Sequence, residues 1–203
     1  MIPQRAPAPA FPIIAWFGLA ILALSTGQIN QGRQLGHLAK FLSHMGDNVW
    51  VGTSLILLAL PPLLAMKRDG FSPHLWRIWD ATIINFAIVD GLGKSHLTAL
   101  HRPNSPDPGF PSGHATYAFL LCRLMQDRYP KLAPLWYAIA VAISWSRVAV
   151  GAHFPYQVLG GALIGWGIGE LVSRVKDGIV LPRVLLPFLP KARAKAPEPP
   201  ATT

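Results

Sequence analysis

Read as alternating apolar and polar stretches, the chain divides into six apolar segments separated by charged, polar or Pro-rich connections. Residues 11–27, 49–66, 132–150 and 156–175 each approach the roughly twenty mostly apolar residues that a helix needs to cross a bilayer. Two further segments are less apolar or shorter. Residues 76–92 carry Asp80, Asn85 and Asp90, and residues 112–125 are few for a span. Charged or Pro-rich flanks bound both, and polar side chains inside a span are tolerated when they face a bundle interior or a wet cavity. The pattern therefore predicts an all-α fold, a six-span transmembrane helical bundle over residues 11–175. It leaves an N-terminal segment at 1–10 and a basic, Pro/Ala-rich tail at 176–203. The first apolar run also resembles a signal peptide, with Arg5 ahead of it and Ala23-Leu24-Ser25 as a cleavage site, but it is long for a signal h-region.

Composition agrees with this pattern. Of 203 residues, 51% are hydrophobic and 13% charged, which is too apolar for an ordinary soluble domain. The formal net charge of +9 raises the question of nucleic acid, but no arginine-rich helix, zinc spacing or RNA-binding signature accompanies it. Basic residues flanking apolar segments account for the charge instead. With the N-terminus inside, five of the eighteen Lys and Arg residues fall outside, namely Arg33, Lys40, Lys94, Arg102 and Arg147, and thirteen fall inside. That bias predicts both termini in the cytoplasm. Trp50 and Trp145 then belong near outer ends of spans, and Trp76, Trp79 and Trp136 near inner ends. The single cysteine, Cys122, sits in an apolar run and reads as a packing residue.

Three of the outside cations call for a reason beyond topology. Lys94 closes the third span, Arg102 follows in the next connection, and Arg147 ends the fifth span. Between them Pro111-Ser112-Gly113-His114 opens the fourth span. Pro111 fixes the chain entering the helix and Ser112 is a good N-cap, so backbone N–H groups around Gly113 would face outward at the positive end of the helix dipole, a phosphate-binding arrangement. His153 follows Ser146-Arg147 after five residues, and Pro155 separates the fifth helix from the sixth, leaving His153 on the turn at the level of His114. One imidazole can attack phosphorus while the other protonates the leaving oxygen, and the cations neutralise the equatorial oxygens.

These residues resemble the type 2 phosphatidic acid phosphatase and vanadium haloperoxidase superfamily, whose motifs are a Lys followed by Arg-Pro, then Pro-Ser-Gly-His, then Ser-Arg with a downstream His. The motifs run from Lys94 to Gln157 and the hydrophobic layout extends the likeness over most of the chain. The resemblance implies that His153 is the nucleophile and His114 the general acid, with Lys94, Arg102, Ser112, Gly113 and Arg147 binding phosphate. The expected site uses no metal and no cofactor. Two positions depart from the family pattern. Seven residues rather than six separate Lys94 from Arg102, which turns Lys94 by about a quarter of a helical turn unless loop slack absorbs it. Gln157 stands where the family places the Asp that orients the nucleophile. Gln can accept the Nδ1–H bond and hold the tautomer, but it carries no charge to stabilise imidazolium. The run Ala152-His153-Phe154-Pro155-Tyr156-Gln157-Val158 is similar to glucose-6-phosphatases, which also place Gln there.

Outside these motifs the structural readings prevail. Asp90 lies four residues before Lys94 and is expected to pair with it. Gly161, Gly165 and Gly169 repeat at the spacing that lets membrane helices approach closely. Metal chemistry finds no HExxH and no pair of close aspartates near the motifs. The resulting expectation is a hydrolase acting on a membrane lipid substrate: phosphatidate, phosphatidylglycerol phosphate, a polyprenyl pyrophosphate or a lipid A phosphate. It would sit in the inner membrane with its site on the outer face. A phosphotransferase using the same phosphohistidine, a haloperoxidase holding vanadate, and a catalytically silent membrane scaffold are the rival readings. The sequence leaves the oligomeric state open.

Overall fold

The computed structural model describes residues 33–64, 73–94 and 100–174, together with Trp16, Gly18 and Ala20, which are helical. The N-terminal segment 1–10, most of the expected first span with its candidate cleavage site, and the tail 176–203 lie outside the described residues.

Helix α1 (Arg33–His44), a π-helical turn (Met45–Val49) and α2 (Trp50–Leu64) run on as one rod, since His44 and Trp50 on either side of the turn both keep right-handed helical dihedrals. The sequence pattern marks only residues 49–66 of this rod, because α1 mixes charged and apolar positions. Two contacts fix its depth. Gly46 lies against Ile143 and His114, and further along Tyr129 Oη donates to the Leu57 carbonyl at 2.9 Å. At 1.5 Å of rise per residue, the stretch between Ser43 and Leu57 covers about 20 Å, so the packed part of the rod begins before the apolar run does. This corrects the expected placement of Trp50 and Trp136. Trp50 and Trp136, assigned to opposite membrane faces, are both buried with ring centroids 6.1 Å apart.

Four more helices complete the bundle: α3 (Pro73–Lys94), α4 (Gly113–Arg128), α5 (Ala133–Ala149) and α6 (Pro155–Arg174). Each matches an expected apolar segment to within a few residues. A 3₁₀ turn, Pro130–Leu132, leads into α5, and residues Pro130–Ala149 form the one helix among those described that is long and apolar enough to cross a membrane. Asp80 and Asn85 of α3 are turned fully inside, where a polar group in such a helix is tolerated. Large apolar side chains cover the exterior instead, among them Ile56, Leu64, Phe86 and Leu163, an arrangement that water-exposed bundles avoid.

The central helix is α4, which packs against α2, α3, α5 and α6. Ala115, Ala118, Phe119, Cys122 and Met125 are all fully buried, with Cys122 Sγ donating to the Trp136 carbonyl. α6 packs directly on its backbone. A Cβ at Gly161 would fall 2.6 Å from the Ser112 carbonyl oxygen, and one at Gly165 would collide with the Thr116 carbonyl, so the four-residue glycine spacing is what permits this approach. At the far end of the same pair Arg123, one of the thirteen cations counted inside, is only 8% exposed and binds Glu170 and Asp127, while Glu170 also holds Arg174.

Candidate active site

The connection from α3 to α4 folds as a small antiparallel hairpin, β1 (His101–Arg102) with β2 (Ser105–Pro108). Prolines at 106 and 108 hide such a strand from sequence reading, because Pro removes a ladder donor. Gly109 N–H donates to the Leu100 carbonyl at 2.8 Å and closes the hairpin. Its tip docks on the α5–α6 turn, where Asn104 Nδ2 donates to the Gly151 carbonyl. Gly151 has φ +71°, a left-handed conformation that favours glycine. Arg102 is held within the hairpin by a 3.3 Å bond from Nε to the Pro108 carbonyl.

Ser112 occupies the N-cap position of α4 with extended dihedrals, but its hydroxyl does not cap the helix. Its N–H donates to the Gln157 carbonyl, and its own carbonyl accepts from both Thr116 N–H and Thr116 Oγ1. Ser112 Oγ is fully buried and has no hydrogen-bond partner among the described residues. The first-turn N–H groups after it lack intrahelical acceptors, as at any helix start, and lie at the positive end of α4. Gly113 and His114 carry that end into the site.

His153 is fixed from both backbone and side chain. At the end of α5 the N–H groups of Ala152 and His153 both fold back to donate to the Arg147 carbonyl, at 3.0 and 3.1 Å, which keeps Arg147 beside His153. The His153 ring is 4% exposed, and its Nδ1 lies 3.0 Å from the Gly109 carbonyl and 3.2 Å from Gln157 Oε1. The amide of Gln157 is oriented by its other bonds: Oε1 accepts from Phe154 N–H, and Nε2 donates to the His101 carbonyl at 2.8 Å. Nδ1 therefore faces two acceptors and must carry the proton, leaving Nε2 with the lone pair. Burial first, then the charges of Arg102 and Arg147, push the His153 pKa down from 6.5 to about 4, against the bonds to Gln157 and Gly109 that favour imidazolium.

A cavity of about 390 Å³ opens in front of this ring. Arg102, Gly113, His114, Arg147 and His153 line it, so five of the eight residues singled out from sequence meet at one cavity. Gln157 stands behind His153, and Ser112 is buried beneath the start of α4. Lys94 is the last residue of α3; its side chain lies outside the described residues, as does its expected pairing with Asp90. Asp90 and Asp107 also line the cavity. Sequence reasoning missed the Gly109 carbonyl, which no side-chain pattern announces, and the π-helical turn beside His114. No cluster of three or more metal-binding side chains occurs among the described residues. With a lone-pair imidazole, a second imidazole, two guanidiniums and a helix N-terminus around one cavity, the site can bind a tetrahedral anion and exchange a covalent bond with it.

The model of the PAP2 superfamily matches residues 72–179, and the chain belongs to that superfamily. Among its relatives, the undecaprenyl-diphosphatase of Sulfolobus acidocaldarius is 29% identical over 168 residues, which cover 73% of this chain and 74% of the relative. The lipid A 1-phosphatase of Rhizobium johnstonii is 25% identical over 154 residues, 64% of this chain and 63% of the relative. The fold is similar to that in the crystal structure of a transmembrane PAP2 type phosphatidylglycerolphosphate phosphatase from Bacillus subtilis. The TM-score is 0.56 and the identity 19%, with 81% of this chain and 94% of that chain covered.

Proposed function

We propose that this protein hydrolyses a lipid phosphate or diphosphate in the membrane through a phosphohistidine on His153, without a metal ion. The observation that carries the reading is the fixed tautomer of His153: with Nδ1–H committed to the Gly109 carbonyl and Gln157 Oε1, the Nε2 lone pair belongs to the cavity wall shared with His114, Arg102 and Arg147. In the first step a bond forms between Nε2 and phosphorus while the bond to the leaving oxygen breaks, and His114 gives that oxygen a proton. Water then attacks the phosphohistidine, His114 takes a proton from it, and inorganic phosphate leaves with His153 restored. Arg102, Arg147 and the N–H groups at the start of α4 stabilise charge on the non-bridging oxygens, as Lys94 would at the end of α3.

A lipid is the preferred substrate class because the relatives named above act on an undecaprenyl diphosphate and on lipid A, and because a site at one end of an apolar bundle can take a head group while the tails stay in hydrocarbon. The same reading puts six spans over residues 11–175, both termini in the cytoplasm and the cavity on the outer face. Its test is phosphate release by the purified protein in detergent from phosphatidate, phosphatidylglycerol phosphate, a polyprenyl diphosphate and lipid A. Activity on at least one should persist in excess chelator and be inhibited by vanadate, which imitates the pentacoordinate phosphoryl group. Loss in chelator with recovery on adding magnesium would refute the metal-free mechanism.

A further inference from the structure

Two features next to the cavity have no part in the mechanism above. Ser43, on the last turn of α1, is 7% exposed, and its hydroxyl accepts a hydrogen bond from Arg147 Nη1 across 104 residues of sequence. Three residues later, inside the π-helical turn, Gly46 lies so close to α5 that a Cβ would fall 2.6 Å from Ile143 Cγ2 and 3.5 Å from His114 Cδ2. A π turn is a rare interruption of an α-helix, frequent at functional sites. Here it brings one face of the rod against both the cation and the second imidazole.

We infer that Ser43 is a positioning residue for catalysis, anchoring the Arg147 guanidinium toward the phosphate, and that the π turn Met45–Val49 sets it in register. The inference rests on the reading of the cavity as a phosphoryl-transfer site. Arginine loses much rotamer freedom when its head is fixed, and an anchor that holds it before substrate arrives removes that cost from binding. The chemistry of the anchor matters as much as its presence. A hydroxyl occupies one of the five guanidinium donors and leaves the positive charge intact, whereas a carboxylate at the same place would neutralise it.

The test uses the purified full-length protein with Ser43→Ala, Ser43→Thr, Arg147→Lys and the Ser43→Ala/Arg147→Lys double variant. Each is measured for kcat/KM, vanadate inhibition and thermal midpoint. Ser43→Ala should weaken vanadate inhibition and lower kcat/KM by about tenfold, the effect of one lost bond to a charged group. The loss should be the same for good and poor leaving groups, because Arg147 serves the phosphoryl group and not the departing oxygen. Ser43→Thr should restore most of it, and in the Arg147→Lys background Ser43→Ala should add little. Should Ser43→Ala not fold, Ser43→Cys, near-isosteric and a weak acceptor, carries the same comparison. Wild-type vanadate affinity and kcat/KM in Ser43→Ala, or an equal loss in both Arg147 backgrounds, would overturn the inference. An active His153→Ala control would instead overturn the reading of the cavity on which it rests.

Discussion

The two ends of the α4–α6 pair use arginine in opposite ways. At one end Arg123 is enclosed by Asp127 and Glu170, and Glu170 reaches on to Arg174. At the other, Arg102 donates to the Pro108 carbonyl and Arg147 to the Ser43 hydroxyl, both neutral oxygens, and both guanidiniums line a cavity. A guanidinium among carboxylates holds helices together. A guanidinium with one donor on a neutral oxygen keeps other donors of its fork for an incoming anion. Substitutions at the two ends should therefore fail differently. His153→Ala should abolish turnover on every substrate while moving the thermal midpoint little. Glu170→Ala should leave Arg123 poorly paired in a buried site, at a cost of about 3 kcal/mol, while the folded fraction keeps its kcat. Activity assays beside thermal denaturation would check both, and similar behaviour of the two variants would erase the distinction between the ends.

Within the cavity end the two imidazoles divide the labour, which gives the next largest effect. His114→Ala should lower kcat by about 10²- to 10⁴-fold on a lipid substrate, the usual range for general acid catalysis. With an aryl phosphate whose phenol is strongly acidic, most of that loss should vanish, because the departing oxygen no longer needs a proton. His153→Ala should gain nothing from the same substrate. Equal rescue of both variants would remove the assignment of roles.

Much of this organisation was legible in the chain. Helices α2 to α6 announce themselves as apolar segments, and the glycines at 161, 165 and 169 foretell the close contact of α6 with α4. Arg102, His114, Arg147 and His153 could be gathered from three ordered motifs because catalytic side chains must be of particular types. Backbone contributions leave no such trace: the Gly109 carbonyl on His153 Nδ1 would be offered equally by any residue there. α1 escaped notice because Arg33, His37, Lys40 and His44 break its apolar run, and the π turn has no sequence signature. The expectation that Trp50 and Trp136 lie at opposite faces failed because hydropathy marks where an apolar run begins and not which rings meet across the bundle.

Gln157 sharpens the comparison at intermediate size. Read from sequence it only orients His153, and on that basis an Asp in its place should work as well or better. Its Nε2, however, donates to the His101 carbonyl and, at 3.4 Å, to that of Leu100, tying α6 to the hairpin that presents Arg102. Aspartate has no donor for these carbonyls and is one methylene shorter. Gln157→Ala should thus reduce kcat/KM by about ten- to a hundredfold, the span usual for lost support of a functional histidine, and Gln157→Asp should recover only part of it. Wild-type turnover in Gln157→Asp would mean that the bonds to the hairpin contribute nothing.

The smallest expected effect is a displaced pH profile. The nucleophile must be neutral, and the His153 pKa of about 4 keeps it so through mildly acidic conditions. The acid limb of kcat/KM contributed by this group should lie near pH 4 in the free enzyme. Burial is the largest cause of the lowered value and Arg102 the next, so Arg102→Gln removes a charge that penalises imidazolium. The pKa should rise toward 6.5, and the acid limb should move to higher pH. Comparing both enzymes on one substrate cancels the titration of the substrate's own phosphate. Stability shifts in the same sense. Because the folded pKa is depressed, the unfolded chain binds more protons between about pH 4 and 6.5, so the contribution of His153 is fully present above 6.5 and lost as pH falls toward 4. Arg102→Gln should narrow that window from its acid side. An acid limb that stays in place or moves lower would mean that Arg102 does not act on His153 through space, and with that the shared field of the cavity end would have to be abandoned.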